Sequence, residues 1–256
     1  MLPLDLLPNI SPRTCDSLRA RGFVCIEDVA QATPDDLRTV KGIKTTAEVI
    51  HAHAVAYVNH EPCLIAPRPS DLLDTTCAYL DIETDPFNGG VWSITIRSDD
   101  EPAQTVLVCD GLDPLSAPDD PRFHLTFSQA EGWDLARELL PANTPVLHWT
   151  GFDSGVMRQT AAEPTRSQLD AVMRDLHADV KRTVAFPLKS RSLKAVAPYL
   201  GFQWKAYDRW DLALADFKRW VYDGDADSFT RMRAYIHDDV DAMHVVMSWL
   251  RAVRWG

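Results

Sequence analysis

The arrangement of hydrophobic and polar residues changes along the chain, first after about residue 60. In residues 1–60, apolar residues recur at intervals of three and four, which is the spacing of one face of an α-helix. Ser11 or Thr14 is placed to start the first helix, and Gly22 to end it. The pattern predicts four or five short helices, the later ones over Ile26–Ala30, Pro34–Val40 and Thr45–Val58.

Beyond residue 76 the spacing becomes that of β-strands. The segments CAYLDIE, VWSITIR and QTVLVC alternate or run apolar, are rich in β-branched and aromatic residues, and are separated by short turn-forming segments. Three successive strands with short connections predict an antiparallel meander. TPVLHW is predicted as a fourth strand and LHADV as a short fifth.

Helical spacing returns between and after these later strands. A helix is predicted in FSQAEGWDLARELL with Ser128 as its cap, another starts near Asp153, and a third covers Thr165–Met173. The last, amphipathic helix is predicted from about Ser228 to Val253. The order of elements indicates an α/β fold and is compatible with the ribonuclease H fold, a mixed sheet flanked by helices.

The domain organisation follows from these changes of pattern. We predict a small all-α domain over residues 1–60, a linker over 61–76, and the α/β domain over 77–256. The linker lacks clean periodicity and contains Pro62, Pro67 and Pro69.

Charge and cysteine content limit the possible functions. The net charge of −11 argues against a nucleic-acid partner. Between Lys181 and Arg209, however, the local charge is positive, because this segment contains seven basic residues and one acidic residue. Aromatic residues are interleaved there, so the segment predicts a groove for single-stranded nucleic acid, and the alternative is an ordinary helix with a solvated charged face. The predicted binding residues in it are Lys181, Arg182, Lys189, Arg191 and Lys194.

Five cysteines without a CxxC pair indicate buried thiols in a reducing compartment. The sequence shows neither a signal peptide nor an apolar run of membrane-spanning length, so a cytoplasmic protein without membrane association is expected.

The candidate chemistry lies in four acids and one tyrosine. Asp81 and Glu83, two apart on a strand, project from the same face, and Tyr235 and Asp239, four apart, share a helical face. Gathered carboxylates are typical of sites for hard divalent cations. Each of these residues also has a purely structural interpretation. Asp81 and Glu83 are then at a solvated strand end, Asp153 is a helix cap, and Tyr235 is a core residue.

These residues, in this order, resemble the tyrosine subtype of the DEDD superfamily of 3′–5′ exonucleases. The resemblance covers about residues 75–254 and includes Asp-x-Glu at Asp81 and Glu83, Phe-Asp ending at Asp153, and Tyr-x-x-x-Asp from Tyr235 to Asp239. It implies two Mg²⁺ or Mn²⁺ ions per site. Asp81 would bridge both ions, Glu83 and Asp239 would hold one, and Asp153 would hold the other largely through water. Tyr235 would orient the attacking water and assist its deprotonation.

Two segments of the helical region, LPNISPRTCDSLRARG and VKGIKTTAEVIHAHA, resemble helix-hairpin-helix modules. In that family a tight hairpin presents backbone N–H groups to a DNA phosphate. The resemblance implies backbone binding at Gly42 and Lys44. A packing or protein-docking module is the alternative.

The leading hypothesis is therefore a metal-dependent exonuclease acting on single-stranded or frayed 3′ ends, including those at duplex junctions, with DNA favoured as substrate. A non-catalytic nucleic-acid-binding or nuclease-adaptor protein and a structure-selective endonuclease are the alternatives. No feature of the sequence identifies a protein partner.

Overall fold

The computed structural model describes residues 1–66 and 72–254, so Pro67 and Pro69 of the predicted linker lie outside the described residues. A short 3₁₀ turn over Leu4–Leu6 precedes the first α-helix. The helices, in chain order, are α1 (Pro12–Arg19), α2 (Ile26–Gln31), α3 (Pro34–Arg38), α4 (Ala47–Asn59), α5 (Gln129–Leu139), α6 (Gly151–Thr160), α7 (Thr165–Val172), α8 (Leu176–Thr183), α9 (Leu193–Tyr199), α10 (Trp210–Asp223) and α11 (Ala226–Ala252).

The strands form a two-stranded and a six-stranded sheet. They are β1 (Cys63–Leu64), β2 (Ala78–Thr84), β3 (Val91–Ser98), β4 (Gln104–Val108), β5 (Phe123–Thr126), β6 (Val146–His148), β7 (Met173–Asp175) and β8 (Val184–Ala185). β1 pairs antiparallel with β8, and the large sheet has the order β5-β4-β3-β2-β6-β7.

The described residues form two compact units. The first contains everything up to residue 66, together with Ala178–Val196 and residues 253–254, and the second contains residues 72–177 and Ala197–Ala252. The predicted domains remain a prediction. The two-residue strand β1 lies within the predicted linker and pairs with residues of the first unit.

Four short α-helices form most of the first unit, as the apolar spacing predicts. Ser11 caps α1 by accepting a hydrogen bond from the Thr14 N–H at 3.1 Å, and Pro12 occupies the first helical position, where its missing N–H is harmless. Leu18, Ile26 and Leu37 are fully buried in one apolar cluster. All five cysteines of the chain are free, and four are buried, which agrees with their predicted role as buried thiols.

One buried histidine of the first unit makes stability depend on pH. His53 on α4 is fully buried, and its Nδ1 lies 3.0 Å from the Phe186 carbonyl oxygen. Burial lowers the pKa of its imidazole from 6.5 to about 4. The folded protein therefore resists a proton that the unfolded chain accepts, so this contribution to stability is complete above pH 6.5 and is lost as pH falls towards 4.

We expect the free energy of unfolding to fall by on the order of 3 kcal/mol over that interval on account of His53. His53→Gln keeps an amide donor for the carbonyl but does not titrate, so its unfolding free energy should change less between pH 7 and pH 4, measured in urea. His51→Gln, two residues away on α4 and only half-buried, is the matched control and should follow the wild-type curve. Parallel curves for His53→Gln and wild type would contradict the assignment.

The large sheet confirms the predicted mixed α/β fold. β3 is antiparallel to both β2 and β4, which is the predicted meander, whereas β5, β6 and β7 extend the sheet by parallel pairing. The prediction of a strand in LHADV is wrong, because Leu176–Thr183 is helical and the edge strand is the preceding Met173–Asp175. Asp179 accepts two local hydrogen bonds in this helix. Its carboxylate accepts one from Arg182, and its backbone carbonyl accepts one from the Thr183 hydroxyl.

The strand β5 was not predicted, because its segment follows an acidic, proline-rich loop and contains only four residues. Parallel pairing with β4 places it at the sheet edge, where Phe123 packs on Phe229 of α11. A short edge strand takes its conformation from the neighbour it pairs with, so its own sequence carries little signal.

The two faces of the sheet have different chemistry. One face carries Leu80, Ile82 and Ile94, which pack against α5, α6 and α7 in a continuous apolar cluster. The other face carries the alternating positions Tyr79, Asp81 and Glu83 of β2 and is covered by α11. Because side chains alternate along β2, its apolar residues lie in the hydrophobic core and its acidic residues lie on the opposite face of the sheet.

A β-bulge interrupts the pairing of β2 with β3. Glu83 pairs with Ser93, but Thr84 pairs with Val91, which leaves Trp92 as an extra residue in β3. The extra residue reverses the alternation, so Trp92 packs against Phe217 of α10 instead of sharing the face of Ile94. Among the described residues, no helix combines the length and apolar character needed to cross a membrane.

Candidate active site

The structure brings three of the predicted carboxylates together. Asp81 and Glu83 lie on β2, and Asp239 lies on α11, which covers that face of the sheet. One carboxylate oxygen from each lies within 4.8 Å of the other two. Packing of α11 on β2 thus brings together carboxylates that are more than 150 residues apart in the sequence.

This donor set fits a hard divalent cation. All three side chains offer anionic oxygen, the ligand that Mg²⁺ and Mn²⁺ prefer, and like charges this close repel each other unless a cation lies between them. Asp239 is buried, and Asp81 and Glu83 are half-buried, so solvent screens the repulsion only in part. These are the residues that could hold a metal.

Tyr235 lies one helical turn before Asp239 on α11, and both face the carboxylate pair of β2. Its phenol donates a hydrogen bond to Glu83. Burial, first, and then the negative charges of Asp239, Glu83 and Asp81 raise the pKa of Tyr235 well above its usual value, so the phenol stays protonated at neutral pH. The side chain is a fixed hydroxyl group and not a phenolate base.

Asp153 approaches the same place from the other edge of β2. The strand β6 pairs with β2, and the chain turns directly from β6 into α6, whose first turn carries Asp153 and whose N-cap is Thr150. Burial raises the pKa of the Asp153 carboxyl, as does the charge of Asp239, while N–H groups including that of Ile82 bind it and oppose the rise. Ile82 stands between Asp81 and Glu83, so the Asp153 carboxylate lies against this stretch of β2.

The three aspartates of the segment HDDVD have different surroundings. Asp239 belongs to the carboxylate cluster, whereas Asp238, fully buried, is paired with Lys205 at 2.9 Å, and its other oxygen accepts the Lys205 backbone N–H at 2.6 Å. Asp241 pairs with Arg97 and with Lys205. Because Asp238, Asp239 and Asp241 point in different directions from α11, only Asp239 faces the carboxylates of β2.

A row of buried hydroxyl groups, which the sequence did not reveal, lies beside the cluster on the same face of the sheet. Thr95, the cross-strand neighbour of Asp81, lies 3.3 Å from the Ser93 hydroxyl and 3.1 Å from that of Thr105, which in turn lies 3.2 Å from His237 Nε2. Burial lowers the pKa of His237 to about 4. The only signal in the sequence is the polar Ser and Thr in alternate positions of β3.

A family model of the RNase H superfamily matches residues 78–251, which include every strand of the large sheet and all four carboxylates. The chain belongs to the RNase H superfamily. No curated protein and no solved structure matches it.

Membership in the RNase H superfamily agrees with the donor set. RNase H-like nucleases act on nucleic acid with divalent metal ions, and the cluster of Asp81, Glu83 and Asp239 supplies oxygen ligands of the required kind. The superfamily thus indicates a nuclease or nucleic-acid-processing function for this chain. The subtype within the superfamily and the helix-hairpin-helix resemblance remain predictions.

The predicted nucleic-acid-binding residues of this RNase H-like protein lie in its first unit. Lys181 and Arg182 are on α8, where Arg182 pairs with Asp179, and burial lowers the pKa of Arg191. Phe186, one of the interleaved aromatic residues, is fully buried and is therefore unable to stack on a base. Gly42 has a left-handed φ of 96°, which a tight turn before buried Ile43 requires. Binding at these positions, and at Lys189, Lys194 and Lys44, stays a prediction.

Proposed function

We propose that this protein is a metal-dependent 3′–5′ exonuclease that hydrolyses single-stranded or frayed nucleic acid, DNA in preference to RNA, and releases 5′-nucleoside monophosphates. The carrying observation is the convergence of Asp81, Glu83 and Asp239 within 4.8 Å, with the Tyr235 phenol hydrogen-bonded to Glu83. A tyrosine at this place supports the tyrosine subtype of the exonuclease superfamily that the sequence resembles.

The roles of the side chains follow from their chemistry. Asp81, Glu83 and Asp239 would hold the cations, and Asp153 would assist through water. Two divalent ions, Mg²⁺ or Mn²⁺, would supply stabilisation of the negative charge on the attacking and leaving oxygens. In the reaction, the oxygen of a water molecule would form a bond to phosphorus as the bond from phosphorus to the 3′ oxygen breaks. The water would lose a proton to solvent, and the leaving 3′ oxygen would take one up from solvent to become a hydroxyl group.

Tyr235 orients that water. Its O–H can donate to Glu83, which leaves the lone pairs of its oxygen to accept a hydrogen bond from the water. Burial, the main cause of the raised pKa of Tyr235, favours the protonated phenol and so a positioning role. The tyrosine therefore lowers the entropy of the attacking water and does not remove its proton.

Removing this hydroxyl is expected to lower kcat by about 10²-fold with little change in KM, since the water is positioned only for the chemical step. The variant is Tyr235→Phe, measured by release of mononucleotide. Tyr207→Phe is the matched control, because the two rings lie 5.5 Å apart but the Tyr207 hydroxyl binds Asp216 at 3.0 Å. It should keep its kcat, and equal losses in both variants would contradict the role of Tyr235.

The function itself is tested with oligonucleotides labelled at the 3′ or the 5′ end, as DNA and as RNA, with Mg²⁺, with Mn²⁺ and with a chelator. We expect immediate release of labelled mononucleotide from the 3′ label, a shortening ladder from the 5′ label, and no reaction with the chelator. Cleavage of circular single strands would indicate an endonuclease instead. Binding without release of nucleotides under every condition would indicate an adaptor.

A further inference from the structure

The segment between α9 and α10 contacts α11 at two places. Lys205 of this segment is paired with Asp238, and the ring of Tyr207 lies 5.5 Å from the ring of Tyr235. Asp238 directly precedes Asp239 in the chain. The segment therefore contacts α11 beside both of the residues that this helix directs towards the carboxylates of β2.

Asp238 is a fully buried carboxylate that depends on one residue for its partners. Among the described residues, both of its polar partners belong to Lys205: the backbone N–H donates to Oδ2 at 2.6 Å, and the ammonium lies 2.9 Å from Oδ1. The carboxylate raises the pKa of the Lys205 amine, so the ammonium stays charged at neutral pH. The Lys205 side chain is 63% exposed, so water can solvate it without Asp238, whereas Asp238 without Lys205 is a buried and unpaired charge.

The geometry of α11 links this ion pair to the carboxylate cluster. Adjacent residues of an α-helix lie about 100° apart around its axis, so a rotation of α11 that brings Asp238 to water moves Asp239 through the same angle. Asp239 shares a cation with β2 only while its carboxylate oxygen stays within 4.8 Å of those of Asp81 and Glu83. Holding Asp238 in place therefore also holds the direction of Asp239.

We propose that Lys205 is a positioning residue for the carboxylate cluster, because its pairing with Asp238 holds α11 at the rotation that directs Asp239 towards β2. The inference rests on the proposed function, since it requires the cluster to bind a divalent cation. Asp241, the second acid beside Lys205, contributes less, because its oxygen is 3.4 Å from the ammonium and its side chain is 23% exposed. Water solvates an exposed carboxylate that loses its partner.

The direction of the change in Mn²⁺ affinity tests this role. Lys205→Met removes a positive charge and leaves Asp238 negative, so electrostatics through space alone would make the cluster bind Mn²⁺ more tightly. Loss of position has the opposite effect, and we expect Lys205→Met to bind Mn²⁺ about ten-fold more weakly than wild type. The measurement is isothermal titration calorimetry with MnCl₂ in the absence of nucleic acid, on protein whose fold is verified by circular dichroism.

Two further variants separate position from charge. Lys205→Met combined with Asp238→Asn has the same net charge as the wild-type pair, and the asparagine oxygen can still accept the backbone N–H of residue 205, so Mn²⁺ affinity should return towards the wild-type value. Lys218→Met is the matched control. It removes an ammonium that lies 2.8 Å from Asp85, two residues after Glu83, and it should bind Mn²⁺ at least as tightly as wild type.

Lys205→Gln keeps the test decisive if Lys205→Met does not fold. Its amide can donate a hydrogen bond to Asp238 but carries no charge, and it should also bind Mn²⁺ more weakly than wild type. Equal or tighter Mn²⁺ binding by the folded Lys205 variants would overturn the positioning role and leave the proposed function standing.

Mn²⁺ binding by a wild-type protein that hydrolyses no nucleic acid would overturn the proposed function, and weaker binding by the Lys205 variants would then still support the positioning role. A wild-type protein that binds no Mn²⁺ would overturn both.

Discussion

Replacing Asp81 by asparagine is expected to abolish hydrolysis while the protein stays folded. Asparagine preserves the size of the side chain but removes the anionic oxygen that lies within 4.8 Å of those of Glu83 and Asp239. Loss of a metal ligand removes several kcal/mol of transition-state stabilisation, so the rate should fall by about 10³-fold or more. The measurement is release of mononucleotide from a 3′-labelled strand in Mg²⁺ and in Mn²⁺.

Stability provides a second readout for the same variant. In chelator, Asp81→Asn should unfold at a slightly higher temperature than wild type, because one of three repelling charges is gone. With Mg²⁺ or Mn²⁺ the order should reverse, since an ion that binds only the folded state stabilises it, and the variant binds that ion more weakly.

Asp241→Asn is the matched control for these effects. It lies on α11 two residues after Asp239, but its carboxylate pairs with Arg97 and Lys205 and is outside the cluster. It should hydrolyse at about the wild-type rate and show an unchanged response to metal. A near-normal rate for Asp81→Asn would remove the carboxylate cluster from the reaction.

Asp216→Ala is expected to cause the largest loss of stability, about 3 kcal/mol. Asp216 on α10 is buried, and its two oxygens accept hydrogen bonds from Ser228 at 2.9 Å, from Tyr207 at 3.0 Å and from two nitrogens of Arg231. Burial alone would raise the pKa of this carboxyl, but these bonds outweigh it and lower the pKa. Alanine removes the acceptor that these donors share, although Ser228 still donates to Asp225 and Arg231 to Ser228.

The bonds of Asp216 join α10 to α11, the helix that carries Tyr235 and Asp239. The loss is measured by urea unfolding monitored by circular dichroism. Asp211→Ala, on the same helix but half-buried and paired with nearby Arg209, should change the free energy of unfolding by less than about 0.5 kcal/mol. Similar losses for both variants would show that the Asp216 network does not hold the two helices together.

The local periodicity of the chain was sufficient to predict most of the fold. Alternation in β2, β3 and β4 predicted the meander, and the four-residue spacing in the last helix placed Tyr235 and Asp239 on one face. These patterns are readable because each records which side of a single element is buried. LHADV misled because its apolar spacing is compatible with a short strand or one helical turn, and five residues are too few to separate the two.

Which residues meet across elements was decided only by the tertiary structure. The sequence alone determined that this protein has a helical N-terminal region, a mixed sheet and acids at matching faces, because those features are local. The resemblance implied that Asp239 joins Asp81, but the sequence did not determine that Asp238 pairs with Lys205 or that a bulge turns Trp92 away from Ile94. Those outcomes depend on how α11 packs on the sheet and how two strands pair, and such contacts between distant residues leave no periodic trace in the chain.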